Sequence, residues 1–515
     1  MLSGKYGAVA AGHDITAQAA IDILEAGGNA FDAVIASTAA ACIAEPVLAS
    51  LGGGGFLTAR PATAKPVVYD FFVQTPAQPV PHAECDFYPV IVDFGATQQE
   101  FHIGAGSIAV PGVAKGLFDV HRELGSMPMR DILAPAIQAA RTGVEVNPLQ
   151  AYLAKIVSPI HQATAEAQRL YAKAPDEAYV TGDTQRFERQ ADVLETLAHE
   201  GADLFYKGEI ADAIAQQCRV GGHVQKADLE NYTVVHREPH RLRVGDYEIL
   251  TNPPPSSGGM LIGFALQLLH GQLGEEAFGS SNHLHRLVAA MDLTNKARVD
   301  CELRGDTLPA CFARLDAVQL QAYRQAVLGR SAAMRGTTHI SVADAAGNLA
   351  SLTLSNGEGC GAIVPGCGFM LNNMLGEEDL NPGGFGRWQA DQRMTSMMSP
   401  SVMRDFAQQR EFVLGSGGSN RIRSAILQVL LNVIEFDLPV QDAVAASRLH
   451  IENNTLNIEK GFNRDVLATL LREYPEGKAW DEHNLFFGGV HTVMLKDSHF
   501  DGAGDFRRGG VYRVS

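Results

Sequence analysis

Basic residues are in short supply: 41 lysines and arginines stand against 58 aspartates and glutamates, a formal net charge of −17 over 515 residues. A surface that neutralises a phosphate backbone needs clustered Lys and Arg. No basic run or aromatic-interleaved patch occurs, so nucleic-acid binding is excluded. Long apolar runs are missing too. The uncharged N-terminal stretch runs only from Ala33 to Ala44, well short of the roughly 20 residues of a membrane-spanning helix. The opening Met1-Leu2-Ser3-Gly4-Lys5 lacks a charged segment followed by an apolar one, so a cytoplasmic protein is the default expectation. Seven cysteines (Cys42, Cys85, Cys218, Cys301, Cys311, Cys360, Cys367) are scattered, odd in number and never spaced Cys-x-x-Cys. That disfavours a disulfide framework or a zinc site and favours small buried side chains.

Several chemical signatures are also absent. There is no Gly-x-Ser-x-Gly elbow and no His-Glu-x-x-His helix. Gly52–Gly55 leads into neither Gly-Lys-Ser/Thr nor a dinucleotide glycine pattern. His283 and His285, two apart on a predicted helix, point to different faces and do not form a joint metal site. A hydrolase built on this chain therefore needs a different nucleophile.

What is present is a large core. Hydrophobic residues make up 46% and charged residues 19%, with 52 glycines and no Ser/Gly or Pro-rich linker, which suits one large layered unit. Ala19, Ala20, Ile21, Ile23 and Leu24 lead to a helix stop at Gly27-Gly28, and Asn29 opens a second, Ala-rich helix. Phe56–Arg60 and Pro66–Phe71 read as strands, Leu242–Leu250 as a hairpin on Gly245-Asp246, and His339–Ala343 with Leu349–Ser355 as another. Helical spacing recurs at Pro135–Arg141, Arg189–His199, Leu261–Leu269, His283–Arg298 and Arg421–Ile434, and Val490–Leu495 and Val511–Val514 read as closing strands. Blocks of helices and hairpin-linked strands fit an α+β sandwich better than strict βαβ alternation.

One set of residues suits amide cleavage. Gly336-Thr337-Thr338-His339 starts a predicted strand, Ser355-Asn356 closes its hairpin, and Gly415-Ser416-Gly417-Gly418-Ser419 precedes a helix. A Thr hydroxyl is a weak nucleophile until a base takes its proton, and cleavage before Thr337 would supply that base as a new α-amino group, with an ordinary pKa of about 7.7–8.0. The Gly417 and Gly418 amides, before a helix N-terminus, would form an oxyanion hole.

These residues resemble the γ-glutamyltranspeptidase family of self-cleaving N-terminal nucleophile hydrolases, and the match runs nearly the whole length. It is carried by His13–Ala36 with Gly27-Gly28-Asn29-Ala30, Leu51–Phe56, Gly104–Gly116, Pro253–Gly259, Arg335–Val342, Leu371-Asn372-Asn373, Ser396–Ser401 and Gly415–Ser419. The resemblance implies a four-layer αββα sandwich of the N-terminal nucleophile hydrolase type and autocatalytic cleavage of the Gly336–Thr337 bond. It further implies a large subunit 1–336 and a small catalytic subunit 337–515, both parts of one intertwined fold. By position Thr337 is the nucleophile, with Thr338 as runner-up, Ser355 contacts it, Asn356 lies near a substrate-binding Asn, and Gly417 and Gly418 match the oxyanion pair.

The recognition half departs from the family. Its Asp-Phe-Arg-Glu reads Asp70-Phe71-Phe72-Val73, so Phe72 stands where an Arg clamps the glutamyl carboxylate. Its Ser-Ser-Met-Ser-Pro reads Ser396-Met397-Met398-Ser399-Pro400, which keeps Ser396 and puts Met397 in place of the second Ser. The Gln and Asp that help hold the donor's amino group become Met374 and Glu377. A phenyl ring cannot replace a bidentate Arg–carboxylate contact. Arg393, Arg421 and Arg60 are the candidates to compensate. Met374–Met394 is shorter than in well-known members, which suggests a reduced lid and a cleft open to a bulky substrate. Family members are often exported, a further departure from the cytoplasmic expectation.

The expectation is a Thr-nucleophile amidohydrolase or acyltransferase, foremost a γ-glutamyl hydrolase or transpeptidase acting on γ-glutamyl amides. An acylase or small-amide amidohydrolase on a non-glutamyl acyl group is the alternative, and a non-catalytic binding protein retaining the fold is the rival from another class. No metal or organic cofactor is called for. The partners are a small-molecule amide and the chain's own second fragment, with higher homo-oligomers left open.

Overall fold

The structure, a computed structural model, describes residues 6–93, 98–174, 177–273, 276–304, 336–381, 383–452 and 454–515. Cys311 and Arg335 lie outside them.

Two antiparallel sheets form the centre. The first has seven strands in the order Val235–Arg237, Val67–Phe71, Gly54–Arg60, Leu349–Ser355, Thr338–Asp344, Gly7–Ala11 and Val511–Val514. The second has six, in the order His240–Val244, Tyr247–Thr251, Ser401–Asp405, Arg410–Gly417, Gly489–Lys496 and His499–Ala503. The predicted hairpins at Gly245-Asp246 and between Ala343 and Leu349 are both present.

Helices cover the two outer faces. Asp14–Glu25 and Ala30–Ala44 pack on each other and on the first sheet. The stop at Gly27 has φ 95°, a conformation that favours glycine. Asn29 caps the second helix through a capping box with Asp32, which satisfies orphan backbone donors at that end. Gly258–Leu269 and Arg421–Ile434 cover the second sheet. The architecture is a four-layer αββα sandwich, as the sequence led us to expect.

Side-chain alternation along each strand sorts residues between layers. In the strand beginning at Thr338, Ile340 and Val342 join the core under the first helix pair. Ala343 joins Ala8, Ala10, Val402, Val413 and Val493 between the sheets. Hydroxyls stitch the same gap: Ser341 Oγ donates to the His491 carbonyl at 3.0 Å and Ser351 Oγ to that of Leu414 at 3.0 Å. The consequence falls on the Thr pair. Thr338 has the parity of Ile340 and faces the helices, whereas Thr337 has the parity of His339 and Ser341 and faces the space between the sheets.

The strand starting at Thr338 lies between Gly7–Ala11 and Leu349–Ser355. Segments before and after position 337 are thus interleaved in the first sheet, and the second sheet is mixed in the same way.

Candidate active site

A cavity of about 250 Å³ opens beside the start of the Thr338 strand, and Thr337 and Ser355 form part of its wall. Thr337 Oγ1 lies 3.4 Å from Ser355 Oγ. Ser355 in turn donates to the Gly336 carbonyl at 2.5 Å and accepts the Gly357 amide at 3.1 Å. The Gly336 amide is held by Glu358 Oε1 at 3.1 Å. The Gly336–Thr337 peptide is therefore gripped on both sides.

Thr338 has a different environment. Its hydroxyl donates to Glu45 Oε2 at 2.7 Å, and Thr16 donates to Glu45 Oε1 at 2.7 Å. Burial pushes the Glu45 carboxyl above its ordinary range, against these hydrogen bonds and the charge of Arg508. Arg508 donates to the Thr337 carbonyl at 3.3 Å. Burial, and then Arg421, lower its guanidinium to about 10, so it stays charged at neutral pH. Glu45, Glu358 and Arg508 are site residues that sequence reasoning missed. Their only early signals were an acid closing the long uncharged run and an Arg pair before Gly509-Gly510.

Gly417 ends a strand and Gly418, with φ 121°, turns the chain towards the helix Arg421–Ile434. A Cβ on Gly417 would sit 2.2 Å from the Thr337 carbonyl oxygen, so only glycine permits this approach. Ser419 and Asn420 line the cavity, whereas Gly417 and Gly418 are not among its lining residues. Ser419 takes φ 54° and donates to Asp379 at 2.9 Å. Asn420 donates to Glu452, which is partly buried, at 2.8 Å. Burial works to raise Glu452, but His450, Arg423 and Arg421 outweigh it and bring it down to about 2. Asn356, buried one residue beyond Ser355, lies outside the wall.

Five of the side chains expected to meet the substrate lie together around one cavity. Phe72, Met374, Glu377, Ser396 and Met397 all line the cavity. Phe72 is stacked on Phe56, centroids 5.3 Å apart. The loop with Ser396 and Met397 is pinned by the Pro253–Gly259 turn: Ser256 Oγ and the Ser257 amide donate to the Ser396 carbonyl at 2.8 and 2.9 Å. The segment after Met374 contributes Glu377, Asp379 and Leu380 to the cavity wall. It is then tied back by the Thr75 hydroxyl to the Gln389 carbonyl at 2.6 Å.

The three arginines expected as substitutes for the missing cation all point elsewhere. Arg60 pairs with Glu411 and the Gly347 carbonyl. Arg393 stacks on Tyr232 and donates to the carbonyls of Phe72 and Thr233. Arg421 lies over the Phe486 ring and donates to its carbonyl at 3.3 Å. The cation that does line the cavity, among the described residues, is Arg298.

Of the described cysteines, Cys42, Cys218, Cys360 and Cys367 are buried as expected. Cys85 is only half-buried, 3.6 Å from His223 Nε2.

The family model of gamma-glutamyltranspeptidase matches residues 16–515. The chain belongs to the gamma-glutamyltranspeptidase family. Within it, the acylase ACY 1 proenzyme of Pseudomonas sp. (strain V22) is 31% identical, covering 99% of this chain and 93% of that protein. The glutathione hydrolase proenzyme of Pseudomonas aeruginosa is 32% identical over 98% of this chain and 94% of its own length. A cephalosporin acylase from Bacillus halodurans superposes with a TM-score of 0.84 at 24% identity, over 99% of this chain and 96% of that one. This likeness shows that the fold is that of the N-terminal nucleophile hydrolases. Both acylases and glutathione hydrolases are thus family relatives, and the family alone does not choose between the two acyl groups.

Proposed function

We propose that this gamma-glutamyltranspeptidase family member is a self-processing amidohydrolase whose nucleophile is Thr337. The observation that carries the reading is the pair of contacts made by Ser355, one to Thr337 Oγ1 and one to the Gly336 carbonyl. A hydroxyl donating to that carbonyl polarises it while the neighbouring Thr hydroxyl stands ready to attack. Attack moves the Gly336 acyl group from nitrogen to Thr337 Oγ1. Water then hydrolyses the ester, which leaves a Gly336 carboxylate and a free Thr337 amine. That amine is the base for the next cycle: it takes the Thr337 hydroxyl proton as Oγ1 attacks a substrate amide, and the proton leaves with the amine product. Amides of the Gly417–Ser419 turn stabilise the oxyanion. Water or a second amine resolves the acyl-enzyme. Strand parity supports Thr337 over Thr338, whose hydroxyl is committed to Glu45 on the opposite face.

For the acyl group, the wall favours an acylase. Phe72, Met374, Leu380, Met397, Met398 and Ile422 surround the nucleophile's cavity, and its volume suits a compact, mainly apolar chain. The γ-glutamyl reading keeps one supporting observation, the acids Glu377 and Asp379 in the same wall, which would meet an ammonium.

The test is intact mass and a denaturing gel of the wild type beside Thr337→Ala. By residue count, 336 and 179 of 515 residues of a 55.1 kDa chain give fragments of about 36 and 19 kDa on the peptide-cleavage logic above. A split wild type and a whole mutant are expected. Two whole chains would remove the nucleophile assignment and favour the binding-protein alternative.

A further inference from the structure

We propose that Asp119, Glu123 and His236 form a binding site for one divalent transition-metal ion of the zinc type, which clamps a helix to the edge of the first sheet. The proposal is independent of the amidohydrolase reading, and none of the three residues lines the Thr337 cavity.

Asp119 and Glu123 stand four apart on the helix Val113–Leu124 and so share one side of it. Leu117 and Val120 of that helix pack in the same core as Tyr69. His236 lies opposite Tyr69 on the edge strand Val235–Arg237, and directly paired residues share a sheet face. That face brings the imidazole to the two acids. One ligand atom from each residue falls in a set no wider than 4.8 Å, the one such group of three among the described residues. His236 Nε2 is 2.5 Å from Asp119 Oδ2, and its Nδ1 is 3.8 Å from Glu123 Oε1. Bonds of about 2.0–2.1 Å to a tetrahedral ion set the ligand atoms roughly 3.4 Å apart, so small side-chain rotations suffice.

Two features point to a cation. Acids four apart repel each other on a helix, and Glu123 is the last residue but one of this helix, where the dipole favours positive charge. Asp119 is buried, so little water stabilises its charge. The second feature is the outer layer. Arg122 holds Asp119 Oδ1, the Tyr69 hydroxyl donates to Glu123 Oε2 at 3.0 Å, and the Tyr69 ring meets that of His236 edge-on with centroids 4.8 Å apart. Each carboxylate has one oxygen fixed by a donor and the other towards the imidazole, an arrangement that orients metal ligands. Arg122 also reaches Glu123 Oε1 at 3.3 Å. Its side chain is exposed, so it can yield that oxygen to the ion and keep Asp119.

On binding, the ion replaces the proton between Asp119 and His236, which leaves to solvent. One imidazole nitrogen with two carboxylate oxygens suits zinc, cobalt or manganese, whereas magnesium and calcium prefer oxygen throughout and copper(I) prefers sulfur. Glu123 and His236 are exposed, so water completes the shell. The edge strand has a single strand neighbour, Val67–Phe71, and the ion ties it to the helix as well.

The experiment uses the full chain, stripped with EDTA, as wild type, His236→Gln, Glu123→Gln, Arg122→Gln and, for control, His199→Gln at an exposed helix end. Zinc binding is read by equilibrium dialysis, by the absorption spectrum of the cobalt form and by melting temperature, none of which needs turnover. Wild type and the control should hold one zinc per chain and melt higher with it. His236→Gln and Glu123→Gln should bind at least about tenfold more weakly and lose the rise in melting temperature. Arg122→Gln should bind at least as tightly as wild type, because a competing cation is gone. No zinc on wild type at micromolar free metal, unchanged affinity in His236→Gln and Glu123→Gln, or tighter binding of magnesium or calcium overturns the proposal. So does loss of zinc in folded Arg122→Gln, which would leave the acids as partners of that arginine alone. Two ligand variants report separately, so a folding failure of one leaves the other to decide.

Discussion

Replacing Ser355 by alanine removes the donor that sits 2.5 Å from the Gly336 carbonyl and 3.4 Å from the Thr337 hydroxyl, and leaves both partners in place. If the hydroxyl stabilises negative charge on that oxygen as the Thr attacks, its loss resembles removal of one oxyanion donor, about 3–4 kcal/mol of transition-state stabilisation. At about 1.4 kcal/mol per decade, that slows cleavage by on the order of 10²- to 10³-fold. The cost to folding is smaller. Two neutral hydrogen bonds vanish and the Gly357 amide loses its acceptor, which together amount to roughly 1–3 kcal/mol. The variant should therefore melt a few degrees lower yet accumulate as a folded precursor. A time course of the purified precursor on denaturing gels, with circular-dichroism melts alongside, reads both quantities. Ser355→Thr, which keeps the hydroxyl, should process much faster than the alanine variant. Wild-type processing in folded Ser355→Ala would refute the assigned role, and so would a variant that fails to fold when Ser355→Thr folds.

Thr338→Val should still be cleaved before Thr337, because the hydroxyl it loses serves Glu45; its melting temperature should drop, and an uncut chain on a gel would reverse the choice between the two threonines. Gly417→Ala drives a Cβ to 2.2 Å from the Thr337 carbonyl oxygen, so processing and turnover should both fall at least tenfold, measured by intact mass and anilide hydrolysis. Phe72→Arg should raise the ratio of γ-glutamyl to pentanoyl turnover by about tenfold or more, since a cation returns to the wall; an unchanged ratio in a folded variant counts against Phe72 as a recognition residue. Burial alone would raise the Asp505 carboxyl, but Arg448, Arg507 and the Val490 amide hold it down to about 2 from 3.8. Its contribution of about 2 kcal/mol is then present above the unfolded-state value and lost as pH falls towards 2. Asp505→Asn should lose about 3–5 kcal/mol at neutral pH by stranding Arg448 and show a shallower fall in stability between pH 4 and 2 in denaturant titrations.

Local signals carried much of this structure into the sequence. Asn29 after Gly27-Gly28 marks a helix boundary through contacts within four residues, and Asp344-Ala345-Ala346-Gly347-Asn348 marks a hairpin in the same way. Thr337, Ser355 and the glycines before Arg421 lie in short motifs, and the structure brings Thr337, Ser355 and Gly417 together. The residues that stayed hidden act across long separations. Glu45 reaches Thr338 from 293 positions away and Arg508 reaches Thr337 from 171. Neither partner has a periodic pattern to betray it. The compensating arginine was sought in Arg60, Arg393 and Arg421, and each proved to be occupied by a carboxylate, an aromatic ring or backbone carbonyls.

The two halves of the site differ in what holds them, and this bears on how such a chain can change its substrate. Thr337 immediately precedes, and Ser355 ends, two adjacent central strands whose register is fixed by six paired positions. A slip of one residue would turn Thr337 away from the cavity and Thr338 into it. The rest of the cavity wall comes from outside that hairpin: Phe72 after a strand end, two loops around Met374 and Met397, and a helix at Arg298. A side chain there can be exchanged at the cost of local packing only. On the proposed reading, the sheet register that places Thr337 does not depend on the side chain at position 72, so an exchange there should leave the contacts around Thr337 in place.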